Sequence, residues 1–153
     1  MSTAIAAGSF DPITLGHQWM IQRATEMFDK VHVIVAQNPA KKGMLDLLER
    51  QQLIYASLAP HIMRKVQVDY LDSKMFTVEN ARNVGATHVV RGLRNTTDFE
   101  YERQLSLINR RIASGIETVY LMPPSELVEI SSSMVKSMIG LHGWELVVSQ
   151  YVS

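Results

Sequence analysis

The sequence predicts an α/β fold: a single doubly wound, Rossmann-like sheet of five parallel strands with helices on both faces. Short apolar runs alternate along the chain with segments whose apolar residues recur at helical spacing. Residues 31–36 form a nearly continuous apolar, β-branched run, which is typical of a parallel strand covered on both faces. Strands that alternate with helices in this way predict right-handed crossovers within one sheet. The length of 153 residues suits a single domain spanning residues 1–153.

The predicted elements follow one another in a regular order. Strands are predicted at residues 4–7, 31–36, 66–70, 87–90 and 117–122, where the chain is β-branched or alternates between apolar and polar residues. Helices are predicted where apolar residues recur three or four positions apart: from Thr14 up to Asp29, over 44–58 before Pro60, over 76–84 before Gly85, from 98 to 112, and from Ser131 onward.

Composition excludes several classes of protein. Hydrophobic residues make up 46% of the chain and charged residues 20%, as in globular proteins. Lys plus Arg equals Asp plus Glu at 15 each, so no global basic field favours nucleic acid or membranes as partners. The absence of cysteine excludes disulfides and cysteine-ligated zinc. With no signal peptide and no membrane-spanning apolar run, we expect a soluble, cytoplasmic protein.

The stretch of residues 8–17 joins the first strand to the first helix and carries the clearest functional pattern. Gly8 lets the backbone turn sharply or approach a ligand. Thr14 can cap the helix, which would leave Gly16 and His17 in its first turn with unpaired, outward-facing N–H groups. Such a helix N-terminus attracts phosphate, and His17 adds a side-chain donor. Taken alone, T-x-G-H is equally consistent with an ordinary capped turn and a surface histidine.

Further polar residues follow the other predicted strands. Lys41 follows the second strand, Arg91 and Arg94 follow the fourth, and three serines at 131–133 follow the fifth. Because the carboxyl ends of parallel strands meet at one edge of a sheet, we expect these residues to converge on a polyphosphate site with room for a second anionic substrate. Taken singly, the basic residues fit a solvated surface, and the serines fit a helix cap.

Two common nucleotide-binding motifs are missing. The chain has no G-x-x-x-x-G-K-[ST] loop, which argues against a P-loop kinase or ATPase. It also has no dinucleotide fingerprint after its first strand, which argues against a dehydrogenase. The predicted site therefore belongs to another class of phosphate chemistry.

The chain resembles the bacterial phosphopantetheine adenylyltransferases, a branch of the nucleotidyltransferases marked by an H/T-x-G-H motif. The resemblance runs nearly end to end, through G-S-F-D-P-I-T and G-H within residues 8–17, R-G-L-R at 91–94, D-F-E-Y-E at 98–102 and I-S-S-S at 130–133. It implies transfer of AMP from ATP to 4′-phosphopantetheine, which gives dephospho-coenzyme A and pyrophosphate. It also implies Mg²⁺, carried mainly by the phosphates because the sequence offers no dedicated carboxylate cage.

The resemblance further implies roles for individual residues. His17 would stabilise the transition state, and Lys41 and Arg91 would hold the acceptor phosphate. The residues expected to bind ATP are Ser9, Phe10, His17, Gly92, Leu93, Arg94, Glu102, Leu127, Val128, Glu129, Ile130, Ser131, Ser132 and Ser133. The residues expected to bind the acceptor are Ser9, Lys41, Thr77, Arg91 and Asn109. A homo-oligomer, by resemblance a hexamer, is expected as well.

Two other functions stay open at this point. A related enzyme could adenylylate a different phosphate, such as nicotinamide mononucleotide, with the same ATP-binding residues. A nucleotide-binding regulator without turnover is the second alternative, although an intact His17, Lys41, Arg91 and Arg94 argue against it. Segment 71–84 offers the apolar side chains Leu71, Met75, Phe76 and Val78, which are mostly aliphatic and favour a groove for the long pantetheine chain over a stacking slot for a flat ring.

Overall fold

Five parallel strands form one sheet in the computed structural model, which describes residues 1–37, 43–71 and 74–152. The strands are β1 (Thr3–Gly8), β2 (Lys30–Val35), β3 (Val66–Tyr70), β4 (His88–Gly92) and β5 (Glu117–Leu121). They lie in the order β3-β2-β1-β4-β5, and every neighbouring pair is parallel. The predicted α/β fold with a five-stranded, doubly wound parallel sheet is therefore confirmed.

Helices connect and cover the strands. They are α1 (Leu15–Met27), α2 (Leu47–Ser57), α3 (Pro60–Met63), α4 (Thr77–Asn83), α5 (Thr96–Ile112), α6 (Ser132–Met138) and α7 (Trp144–Val148). Within the described residues, none of the helices combines the length and the hydropathy that crossing a membrane requires.

The core has two parts, one on each face of the sheet. On one face, Ala4 and Ala6 of β1 pack in a cluster with Ile21 of α1 and Ile54 of α2. On the other face, Ile5 of β1 lies in a second cluster; its partners include Ile34, Val78, Ala81 and Ala113. Successive residues of β1 thus face opposite layers, as expected of a strand covered on both sides.

Several boundaries differ from those predicted. Strand β4 continues through Arg91 and Gly92, which pair with Tyr120 and Leu121 of β5, although both residues read as loop in the sequence. Pro60 begins the short helix α3 and does not merely end α2, because proline fits the first turn of a helix. Asn95 caps α5 through the N–H of Asp98, so α5 starts at Thr96 and not at residue 98. Helix α7 was not among the elements predicted from the sequence.

The order of the strands creates a crevice next to β1. The chain runs from β1 outward to β2 and β3, and then returns to β4 on the other side of β1. Ligands in open α/β sheets bind at such a switch point, outside the carboxyl ends of the strands. In this fold that position lies beyond Gly8 of β1 and Gly92 of β4.

Candidate active site

A cavity of about 330 Å³ opens at the switch point between β1 and β4. Its walls come from the ends of these two strands, from the first turns of α1, and from the segment that leads into α6. The lining residues are Ala7, Gly8, Ser9, Gly16, His17, Trp19, Met20, Val90, Arg91, Gly92, Arg94, Pro123, Leu127, Ile130, Ser131, Ser132 and Ser133. Two helix N-termini and two arginines thus face one space, as the sequence predicted.

Thr14 and His17 form a reciprocal cap at the start of α1. The hydroxyl of Thr14 accepts a hydrogen bond from the backbone N–H of His17 at 3.5 Å, and Nδ1 of His17 accepts one from the backbone N–H of Thr14 at 3.0 Å. The N–H of His17 is therefore not free to meet an anion, contrary to the expectation from the sequence. Because Nδ1 accepts, the neutral ring carries its proton on Nε2 and is a donor there.

The imidazole of His17 is held in its neutral form. Burial and, to a smaller extent, the positive charge of Arg94 together lower the pKa of His17 from 6.5 to about 4. The fully buried ring of Phe10 lies beside it, with the two ring centroids 4.9 Å apart. Phe10 thus packs against the imidazole. The site offers an uncharged N–H donor at a fixed position.

Arg91 is oriented by Glu102. One carboxylate oxygen of Glu102 accepts hydrogen bonds from Nε and Nη2 of Arg91, at 2.9 and 2.7 Å. Glu102 is the only residue of α5 that is buried, and Arg91 is about one-third exposed. A guanidinium held along one edge keeps its remaining N–H groups available to an anion.

Arg94 is oriented in a similar way by Asp98. Its backbone N–H and its Nε both donate to Oδ2 of Asp98, each at 3.1 Å. Burial of Asp98 raises its pKa, but the hydrogen bonds and charge of Arg94 outweigh that effect, so the net shift is downward and the carboxylate stays ionised. Asp98 and Glu102, two acidic residues in the first turns of α5, thus each pair with an arginine, in addition to any stabilisation by the helix dipole.

The serines before α6 have different contacts. Ser131 is the N-cap, and its hydroxyl accepts from the N–H of Met134 at 3.1 Å. The hydroxyl of Ser132 donates to the carbonyl of Pro12 at 2.8 Å. All three serines line the cavity, but these two hydroxyls already help to hold α6 in position.

Asp11 is a buried charge, although the sequence predicts it only as part of a turn. Its carboxylate accepts from the backbone N–H groups of Met44 and Leu45 and from Nζ of Lys136, all at 2.8 Å, and Arg50 lies 3.5 Å away. Burial raises the pKa of Asp11, but the bond from Lys136 and the other donors outweigh it, so the net shift is downward. Its partners are far away in sequence, so no local pattern could reveal them.

The remaining predicted residues are spread over several places. Leu93, Val128 and Glu129 adjoin lining residues but are not among them, and Glu102 reaches the site through Arg91. Thr77 begins α4 and Asn109 lies in α5; neither is among the described lining residues. Val78 is fully buried in the core, so it cannot form a groove wall in segment 71–84 as expected. Lys41 lies outside the described residues.

Comparison with known proteins supplies a family. Residues 5–138 match the model of the cytidylyltransferase-like family. The chain is 43% identical over 152 residues to the phosphopantetheine adenylyltransferase of Chromobacterium violaceum, with 99% of this chain and 91% of that protein covered. It is also 43% identical to the phosphopantetheine adenylyltransferase of Neisseria meningitidis serogroup C, with 97% and 86% covered.

A solved structure supports the same fold. The nicotinic acid mononucleotide adenylyltransferase of Plasmodium falciparum, in complex with NaAD, superposes with a TM-score of 0.71. The match covers 99% of this chain and 90% of that protein, at 16% sequence identity. At such low identity the superposition bears on the fold alone.

Proposed function

The chain belongs to the phosphopantetheine adenylyltransferases within the cytidylyltransferase-like family, and from this premise we propose how its site transfers AMP from ATP to 4′-phosphopantetheine. An oxygen of the acceptor phosphate attacks the α-phosphorus of ATP. The bond from that phosphorus to the bridging oxygen breaks, its electron pair leaves with pyrophosphate, and dephospho-coenzyme A forms. The observation that carries this proposal is the neutral His17 beside two oriented arginines in one cavity.

The reaction needs alignment and charge stabilisation more than acid–base chemistry. The acceptor phosphate is already a nucleophile, so the enzyme must hold two polyanions in line and stabilise the charge that develops on the α-phosphate. Nε2–H of His17 is the donor we assign to that charge. Because the ring is neutral, its donor strength does not depend on taking up a proton near pH 7.

The arginines and serines are assigned to different substrates. We assign Arg91, oriented by Glu102, to the acceptor phosphate together with Lys41. Arg94 and residues 131–133 face the same cavity and are assigned to the ATP phosphates. Phosphate groups are bound well by guanidinium forks and by helix N-termini.

Mg²⁺ fits this site as an ion that arrives on the triphosphate. Among the described residues no group of three or more His, Cys, Asp or Glu side chains is placed to hold a metal. When bound, Mg²⁺ neutralises phosphate charge and helps pyrophosphate to leave. The protein's share is to hold the phosphates with Arg91, Arg94 and the serines.

We also propose that the enzyme works as a homo-oligomer, a hexamer following the resemblance, in the cytoplasm. Support comes from apolar side chains about half exposed along α5; these are Phe99, Tyr101, Leu107 and Ile108. Leu146 of α7 is also largely exposed. Exposed apolar side chains are common at protein–protein contacts. A monomeric mass by light scattering at micromolar concentration would contradict this proposal.

Product identification tests the reaction. The protein is incubated with ATP, Mg²⁺ and 4′-phosphopantetheine, and the products are identified by mass. We expect dephospho-coenzyme A and pyrophosphate in equal amounts. Hydrolysis of ATP without a new adenylylated product would contradict the proposal.

A further inference from the structure

A buried charged cluster joins three segments of the chain, two of which contribute residues to the candidate active site. Asp11 lies in the turn after β1, and its carboxylate bonds Met44 and Leu45, which precede α2, and Lys136 of α6. Asp11 and Arg50 are both only 2% exposed, whereas Lys136 is 40% exposed. Asp11 does not itself line the cavity.

The contacts of Arg50 strengthen the same junction. Its Nε donates to the carbonyl of Leu45 at 2.9 Å, and its Nη1 donates to the carbonyl of Ser9 at 3.3 Å. Ser9 lines the cavity, and Leu45 belongs to the segment that follows Lys41 in the chain. Arg50 and Asp11 therefore link the end of β1 to the start of the α2 region.

Through Lys136, the cluster also contacts the helix that begins at the cavity-lining serines. Lys136 lies on α6, one turn after Ser132, and the hydroxyl of Ser132 donates to the carbonyl of Pro12, the neighbour of Asp11. The turn at Asp11 and Pro12 therefore holds α6 at two points. One of them is an ion pair with a buried carboxylate, which is screened less than a surface pair.

We propose that Asp11 is a positioning residue for adenylyl transfer. It fixes α6, which leads from the serines assigned to ATP, relative to the end of β1 and the segment before α2, and it touches neither substrate. This inference rests on the proposed function. Since misplacement of reacting groups by about 1 Å can cost about 100-fold in rate, loosening this junction lowers turnover without removing a substrate contact.

Lys136 is the best place to test the junction, because it is partly exposed and its loss leaves the buried Asp11–Arg50 pair intact. In Lys136→Met we expect kcat to fall at least about fivefold, with the KM for ATP within about threefold of wild type. Lys136→Arg keeps the charge and should keep kcat within about twofold. Lys65→Met is the matched control, because Lys65 is exposed, its Nζ donates to the backbone carbonyl of Thr25, and it precedes β3 at the opposite end of the sheet.

A double-mutant cycle with Asp11→Asn separates positioning from a general loss of stability. All variants are assayed well below their unfolding temperatures. If Asp11 acts through Lys136, adding Lys136→Met to Asp11→Asn lowers kcat by less than about twofold further. If Asp11→Asn does not fold, the three lysine variants decide alone.

Several results would overturn the inference. The first is a fall in kcat of less than about fivefold for Lys136→Met. The second is a fall in kcat for Lys65→Met as large as that for Lys136→Met. The third is fully additive effects on kcat in the double-mutant cycle. A rise in the KM for ATP with unchanged kcat would instead make Lys136 a direct ATP contact, which also contradicts the inference. Failure of the wild-type protein to make dephospho-coenzyme A would refute the proposed function itself, so the two failures are distinguishable.

Discussion

The backbone N–H of Thr14 donates to Nδ1 of His17 at 3.0 Å, and this bond makes Nε2 the protonated nitrogen of the ring. The cap of α1 and the chemistry of the site therefore depend on the same side chain. Ring orientation, tautomer and charge of His17 are all set before any substrate binds. Such preorganisation is the property that electrostatic stabilisation of a transition state requires.

The first prediction concerns removal of this donor. His17→Ala should lower kcat by about 100- to 1000-fold, the usual cost of losing one preorganised donor, while the Kd for ATP changes little. Steady-state kinetics and calorimetric ATP titration measure the two quantities. His61→Ala, at an exposed histidine of α3, is the control and should behave as wild type. Near-normal turnover of His17→Ala would remove His17 from the mechanism.

The second prediction concerns the protonation of His17. Because burial and Arg94 lower its pKa to about 4, the ring should stay neutral from pH 8 down to about pH 5. Nitrogen-detected NMR of the imidazole should find Nε2 protonated, with a titration midpoint near 4. A midpoint near 6.5, the ordinary value, would contradict the assigned environment.

The lowered pKa of His17 also predicts how the free energy of unfolding changes with pH. The pKa of His17 in the folded protein lies below its ordinary value, so the unfolded chain takes up the proton first as the pH falls. The contribution of His17 to the free energy of unfolding is complete above pH 6.5 and is lost as the pH falls towards 4. In His17→Ala, this part of the acid dependence should disappear from denaturant titrations.

The third prediction separates two roles for Glu102. If it orients Arg91 for the acceptor phosphate, Glu102→Gln should raise the KM for 4′-phosphopantetheine about tenfold, in line with the loss of a charged hydrogen bond. The KM for ATP should stay within about twofold. Glu100→Gln is the control, since that residue is exposed and pairs with the equally exposed Arg103. A rise confined to the KM for ATP would mean that Glu102 contacts ATP directly.

The fourth prediction tests the packing around Arg50. A Cβ at Gly43 would overlap the guanidinium of Arg50 and would lie 3.2 Å from the carboxylate of Asp11. Gly43→Ala should therefore lower the free energy of unfolding by about 1–3 kcal/mol, the usual cost of overpacking. Gly115→Ala is the control, because nothing lies within 4 Å of a Cβ there. Equal unfolding temperatures for the two variants would contradict the close contact.

The sheet and the end of β1 could be predicted because their signals are local. Buried strands such as β2 are nearly continuous apolar runs, and T-x-G-H marks the start of α1 within a few residues. The ends of helices and strands were less predictable where a residue type, such as proline or arginine, occurs both inside and outside such elements. Pro60 follows one helix and begins another, and Arg91, which as a charged residue after an apolar run reads as loop, lies in β4 and pairs with Tyr120 of β5.

Long-range polar contacts were the part that the sequence could not reveal. The pairing of Asp11 with Lys136, and of Ser132 with Pro12, depends on which segments the sheet order brings together. Tyr101 and Ile108 of α5 are a related case: their spacing places them on one face of the helix and predicts that this face packs, but not against what. The ion pair between Arg94 and Asp98, by contrast, has a local indication, because the two residues are four positions apart.

The identity of the acceptor depends on contacts beyond its phosphate, because a bound phosphate fixes only the reacting end of that substrate. A direct competition assay measures it best: the protein receives ATP and Mg²⁺ with equal amounts of 4′-phosphopantetheine and nicotinamide mononucleotide, and both adenylylated products are quantified by mass. We expect 4′-phosphopantetheine to be preferred by at least about tenfold in kcat/KM, which requires only about 1.4 kcal/mol of differential binding. Equal or better use of nicotinamide mononucleotide would contradict the assignment of the acceptor and leave adenylyl transfer standing.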